Sequence, residues 1–207
     1  MIICIEGCIG VGKTTLTKKL AAQLGGHSVL EEFENNPFLK DFYTEPDTFA
    51  FHVQSTFLCL QSKQFLKAAA LEKEKNVFAD FHPIKSRVFG DIVIKNAAEY
   101  AIIQKIYHQL FAAAEEKILI VYLKAQTAVI LDRIKQRNDP FAGAISASYI
   151  QSVIDTYELY FRNYKFPLVT IDTNTLDFEN NEADWQQVKQ QIAGKMKELE
   201  NSRINNQ

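Results

Sequence analysis

The sequence predicts an α/β fold, a three-layer sandwich in which a five-stranded parallel sheet carries helices on both faces. Three observations predict it. Short apolar runs at residues 2–5, 28–30, 76–80, 118–123 and 168–172 have the composition of strands buried on both faces. Between them lie longer segments with apolar residues near helical period, and parallel neighbours need such crossovers. The first run leads at once into a glycine-rich loop and then a helical pattern, the unit from which such sheets are built.

Taken in order, the first strand is the β-branched run Ile2-Ile3-Cys4-Ile5. A helix begins at Lys13, with Leu16, Leu20 and Leu24 four apart and Gly25-Gly26 as its stop. The second strand ends in Glu31-Glu32, and Asn35-Asn36-Pro37 breaks the chain. A segment dense in aromatics follows (Phe38, Phe42, Tyr43, Phe49, Phe51, Phe57, Phe65). Pro46-Asp47 opens a long helix reaching about Glu74, and its aromatic stripe is expected in the core. The third strand carries Asp80 at its C-terminal end. Helices are predicted over 99–116, with Ile102, Ile103, Ile106, Leu110 and Phe111 on one side, and over 127–137, 146–164 and 183–199. The tail, residues 201–207, is expected to fray.

The loop Gly7-Cys8-Ile9-Gly10-Val11-Gly12-Lys13-Thr14 fits G-x-x-x-x-G-K-[ST] at every fixed position. With Thr15 it forms a nucleoside triphosphate site: backbone N–H groups wrap the phosphates at the positive end of a helix. Lys13 is placed to neutralise the β- and γ-phosphates, and the Thr14 hydroxyl to sit on Mg²⁺.

Composition narrows the rest. A net charge of −2 on 207 residues offers no basic surface for a polynucleotide, and no apolar run approaches a membrane span. Met1 runs straight into the first strand, which leaves no expected room for a signal peptide. Cys4, Cys8 and Cys59 are odd in number and lack metal-ligand spacing, so they read as reduced thiols of a cytoplasmic protein. His82 has no partner in the sequence and reads as structural.

Over nearly its whole length the chain resembles the deoxynucleoside kinases, and within them the bacterial deoxyadenosine/deoxyguanosine kinase branch. The resemblance rests on Glu31-Glu32-Phe33-Glu34-Asn35-Asn36-Pro37-Phe38-Leu39, then Phe42-Tyr43, Phe51-His52-Val53-Gln54-Ser55 and the arginine-bearing stretch Arg133-Ile134-Lys135-Gln136-Arg137. It implies one P-loop kinase domain over residues 1–207, a lid at about 133–146, ATP as phosphate donor with Mg²⁺, and a homodimer. The activity implied is transfer of a phosphoryl group to the 5′-hydroxyl of a deoxynucleoside, a purine in this branch. Glu31 is then the general base, Gln54 holds the base edge, and Tyr43 touches the sugar 3′-hydroxyl. Arg133 and Arg137 join Lys13 on the transferring phosphoryl group, and Asp80 contacts Mg²⁺ or its water. These types suit the chemistry. A carboxylate can accept the hydroxyl proton, an amide can fork onto a base edge, and lid arginines offset phosphoryl charge.

The departures are specific. The family's third-strand motif is an acid followed by Arg-Ser, whereas Phe81-His82 follows Asp80 here. Lys85 is assigned the cationic role, with Arg87 as competitor, and Phe89 is placed near the base. Ala142 stands where the family carries an acid after the lid arginines, and Asp139 is the nearby substitute. Two alternatives stay open: a thymidylate-type nucleoside monophosphate kinase, and a weakly active nucleotide-binding subunit.

Overall fold

The computed structural model describes residues 1–136 and 145–205. Five strands form one sheet in the order β2-β3-β1-β4-β5: β1 Ile2–Gly7, β2 His27–Val29, β3 Val77–Ala79, β4 Ile118–Lys124 and β5 Leu168–Asp172. Every pairing is parallel, and β1 lies between β3 and β4 with Ile2 opposite both Val77 and Ile118. All six residues of β1 are buried, and the first four are apolar without alternation, as burial on both faces requires. Both expected ends shorten. Leu30 leaves β2 because its carbonyl accepts the Gln64 side-chain amide at 2.5 Å, and Asp80 leaves β3 to bind other partners through its carboxylate.

The helices are α1 Lys13–Leu24, α2 Leu39–Thr44, α3 Pro46–Leu71, α4 Ile84–Val93, α5 Ala97–Phe111, α6 Thr127–Gln136, α7 Ala147–Arg162 and α8 Glu182–Asn205. Gly25 ends α1 in the left-handed conformation, as the paired glycines predict. α5 starts earlier than expected because the Asn96 side chain accepts from the N–H groups of Ala98 and Glu99. The residues predicted to end it form a 3₁₀ turn, Ala112–Lys117. The described part of the tail does not fray: α8 continues to Asn205, and Arg203 donates to the Lys117 carbonyl at 2.8 Å.

The α3 stripe corrects the sequence reading. Its buried residues are Ala50, Val53, Gln54, Leu58, Gln61, Gln64 and Ala68, while Phe49, Phe51, Phe57 and Phe65 are only half-buried. Three glutamines thus occupy positions where an apolar helix face would be expected to seal a core: Gln54 and Gln61 line a cavity, and Gln64 donates to the Leu30 carbonyl. α4 has no counterpart in the predicted elements. Its start carries no Ser, Thr, Asp or Asn cap; instead His82 Nδ1 accepts the Ile84 N–H at 3.1 Å.

Gly7 has a φ of 141°, and an added Cβ would run into the Leu123 carbonyl oxygen. Gly7→Ala is therefore expected to lower stability by roughly 1–3 kcal/mol from backbone strain alone. Chemical denaturation measures this directly; an unchanged midpoint would show that the loop relaxes at no cost.

Candidate active site

The loop between β1 and α1 has the form needed to hold phosphate. Gly12, at a φ of 103°, precedes α1, whose N-terminus has no side-chain cap and no acid in its first turn. Its free N–H groups and positive dipole end are left for an anion. Lys13 Nζ lies back over the loop, donating to the carbonyls of Gly7 at 2.9 Å and Cys8 at 3.0 Å. Cys8 itself is buried, and burial pushes its thiol up to about 11, so it fills space and is no nucleophile.

Two cavities flank this loop. The first, of about 320 Å³, lies toward β2 and β3 and is lined by Lys13, Thr14, Glu31, Gln54, Asp80 and Lys85 among others. Tyr43 from α2 and the rings of Phe42, Phe57, Phe89 and Tyr149 complete its wall. The second, of about 530 Å³, lies toward β5 and takes in Val11, Gly12, Thr15, Arg133 and the 174–180 loop. Gly10 borders both, so the phosphate loop separates the two spaces.

In the first cavity the polar groups converge. Asp80 ties two segments together: one carboxylate oxygen accepts from Thr14 Oγ1 at 2.6 Å, the other from the Glu31 N–H at 2.6 Å. Glu31 forms an ion pair with Lys85 through Oε2, and its Oε1 accepts from Gln61 Nε2 at 3.1 Å. Its neighbour Glu32 points away and is exposed, accepting from Asn35 at 2.9 Å. Burial acts to pull Lys85 down, but the carboxylates of Glu31, Glu6 and Asp80 outweigh it and hold the ammonium form. For Lys13 burial dominates and pulls it below the usual lysine range, with Lys85 adding to the effect. Arg87 is not in this cavity. Its guanidinium lies between the rings of Tyr107 and Tyr160, 5.1 and 5.0 Å from their centroids. Of the two competing cations, Lys85 alone faces Glu31.

Among the described residues the Gln54 amide, 5% exposed at the cavity wall, has no hydrogen-bond partner. Phe89 is buried at the wall of the first cavity, with the Lys85 ammonium 5.8 Å from its ring centroid. Arg133 lies outside the first cavity, against the phosphate loop. Its guanidinium donates to the Thr173 carbonyl at 2.7 Å, to Thr173 Oγ1 at 3.1 Å and to the Val11 carbonyl at 3.4 Å, beside the second cavity. Arg137, Asp139, Ala142 and most of the expected lid lie outside the described residues.

Two residues not assigned from the sequence support the site. Glu6 is fully buried at the end of β1 and accepts from the His82 N–H, from Tyr157 OH at 2.6 Å and from the Gly7 N–H at 3.1 Å. It thereby ties the phosphate loop to the β3–α4 connection and to α7. Burial pushes its carboxyl up, against the opposing pull of Lys13 and Lys85. Gln61 is the other. A glutamine seven residues after Gln54 in an otherwise apolar stripe is the signal that could have found it. His82 is buried, its imidazole pulled down to about 3 by burial, and it caps α4 as a neutral ring.

The comparisons with known proteins converge on one family. The deoxynucleoside kinase family model matches residues 3–197. A deoxyguanosine kinase of Bacillus subtilis is 32% identical over 204 residues, spanning 95% of this chain and 96% of the relative. A deoxyadenosine/deoxycytidine kinase of the same organism is 29% identical, over 93% of this chain and 91% of its own. The structure of a deoxyadenosine kinase from M. mycoides, solved with dCMP and a flexible dCDP, superposes with a TM-score of 0.76 at 26% identity, covering 97% of this chain and all of that one. The chain therefore belongs to the deoxynucleoside kinase family, and it is an enzyme that phosphorylates a deoxynucleoside.

Proposed function

We propose that the acceptor is the 5′-hydroxyl of a purine deoxynucleoside bound in the first cavity, with ATP as donor on the phosphate loop and in the second cavity. One observation carries this reading. Glu31, the group able to take the hydroxyl proton, shares a cavity with Lys13 and Thr14, the groups that meet the triphosphate. The 5′-oxygen attacks the γ-phosphorus in line, the bond to the β-phosphate oxygen breaks, ADP leaves, and Glu31 holds the proton. Lys85 keeps that carboxylate in place through its ion pair. Lys13 turns from the loop carbonyls to the β- and γ-phosphates. Arg133, beside Val11, serves the donor nucleotide. Gln54 offers its unengaged amide to the base edge, between the Phe57 and Phe89 rings, and Tyr43 faces the sugar.

A hydroxyl and a carboxylate 2.6 Å apart, Thr14 and Asp80, form a hard-oxygen pair that fits Mg²⁺. When bound there with the triphosphate, the ion supplies charge neutralisation on the phosphate oxygens. The purine preference is supported by the deoxyguanosine kinase relative. Phe81, fully buried in the core, leaves no arginine beside Asp80 to grip an acceptor phosphate, which disfavours a monophosphate substrate. A homodimer is supported by the outer face of α3 and α5, where Leu66, Ile102 and Leu110 are 73, 46 and 45% exposed. No helix among the described residues is long and apolar enough to cross a membrane, and the cysteines are free thiols, which is consistent with a cytoplasmic enzyme.

ADP release measured with the four deoxynucleosides and with their monophosphates tests the reading. Turnover is expected with deoxyguanosine or deoxyadenosine and not with monophosphates alone, and Lys13→Ala is expected to lose about 10³-fold in kcat. Near-normal turnover in that variant would overturn the assignment of the donor site. Gln54→Ala is expected to lower kcat/KM by a factor corresponding to roughly 1–3 kcal/mol, unequally among bases. An equal loss for every nucleoside would mean that Gln54 does not read the base.

A further inference from the structure

We propose that Gln61, clamped by Ser86, is a positioning residue that sets the orientation of the Glu31 carboxylate toward the acceptor hydroxyl. The inference rests on the reading of Glu31 as proton acceptor. Gln61 and Ser86 are each 1% exposed, and both border the first cavity. Gln61 Nε2 donates to Glu31 Oε1 at 3.1 Å, and Gln61 Oε1 accepts from Ser86 Oγ at 3.1 Å.

The direction of this chain follows from chemistry. An ionised carboxylate only accepts, so the NH₂ end of the amide must face Glu31. The amide oxygen then faces Ser86, whose hydroxyl must donate. Reversing the amide would set its oxygen against the carboxylate, so the acceptor-only carboxylate fixes the flip and the serine hydroxyl holds the far end of the amide.

The ion pair with Lys85 does not do this work alone. A lysine ammonium on a four-carbon stem can follow a carboxylate through a range of rotations. A planar amide held at its far end cannot. With Lys85 on Oε2 and Gln61 on Oε1, both oxygens are held and the plane of the carboxylate is set. Each oxygen keeps a second lone pair with which to meet a hydroxyl. Gln54, seven residues earlier on the same face of α3, has no partner among the described residues. Two glutamines on one face thus divide their roles, one held by the protein and the other open to a ligand. Packing does not explain Gln61, since leucine would fill the same volume without burying an amide.

A double-mutant cycle tests the proposal, using the full-length enzyme and single-turnover rates beside kcat and KM. Gln61→Leu is expected to reduce the rate of phosphoryl transfer about tenfold with the acceptor KM within about threefold. Ser86→Ala is expected to cause a smaller loss of the same kind. In a Glu31→Gln background the Gln61→Leu loss should shrink to less than about twofold, because the group it positions is gone. Losses that multiply would overturn the proposal, since Gln61 would then act independently of Glu31. So would a change confined to KM and differing among bases, which would make Gln61 a reader of the base. If Glu31→Gln alone leaves the transfer rate intact, the reading of Glu31 fails first, and the proposal with it. Should Gln61→Leu not fold, the cycle of Ser86→Ala with Glu31→Gln decides by the same criterion.

Discussion

Buried charge is the constraint on which this site depends. The carboxylates of Glu6, Glu31 and Asp80 and the ammonium groups of Lys13 and Lys85 meet at the C-terminal ends of β1, β2 and β3, within reach of one another's fields. Burying so many charges together costs free energy unless they are paired and hydrogen-bonded. Each carboxylate is held by hydrogen bonds to a different set of elements: Glu6 to α7 and the β3–α4 turn, Asp80 to α1 and the Glu31 N–H two residues past β2, Glu31 to α3 and α4. Satisfying these charges therefore fixes where the elements sit.

The sheet order makes this meeting possible. Because β1 lies between β3 and β4, its phosphate loop is reached from two sides. The cavity on the β2–β3 side collects acids and glutamines, and the one on the β5 side collects Arg133 and backbone carbonyls. Donor and acceptor are thus expected on opposite sides of a single glycine loop, the separation that an in-line transfer needs.

Much of this was legible in the sequence, and the failures have physical causes. The strands could be read because a parallel sheet buried on both faces demands unbroken apolar runs. The phosphate loop could be read because its backbone leaves little choice of residue. α4 could not, since its cap is a histidine side chain and the Pro83 before it resembles a break. α2, at six residues, is too short to show a period. The long helix was read with its aromatics inward, yet the face toward Glu31 buries Gln54, Gln61 and Gln64. Buried glutamines mark a site: Gln54 and Gln61 line the cavity at positions that packing alone would give to apolar residues. Just past β3, Phe81 lies in the core at the place of the arginine in the family's motif, and four residues further on Lys85 forms the ion pair with Glu31.

The central claim is that Lys85 replaces that arginine as the cation on Glu31. Turnover of Lys85→Met and Arg87→Met, compared at a temperature where circular dichroism shows both folded, tests it most directly. The account predicts a loss of about 100-fold or more for Lys85→Met, where a buried carboxylate is left unpaired, and a change within a few-fold for Arg87→Met. A large loss in Arg87→Met with Lys85→Met near normal would contradict it.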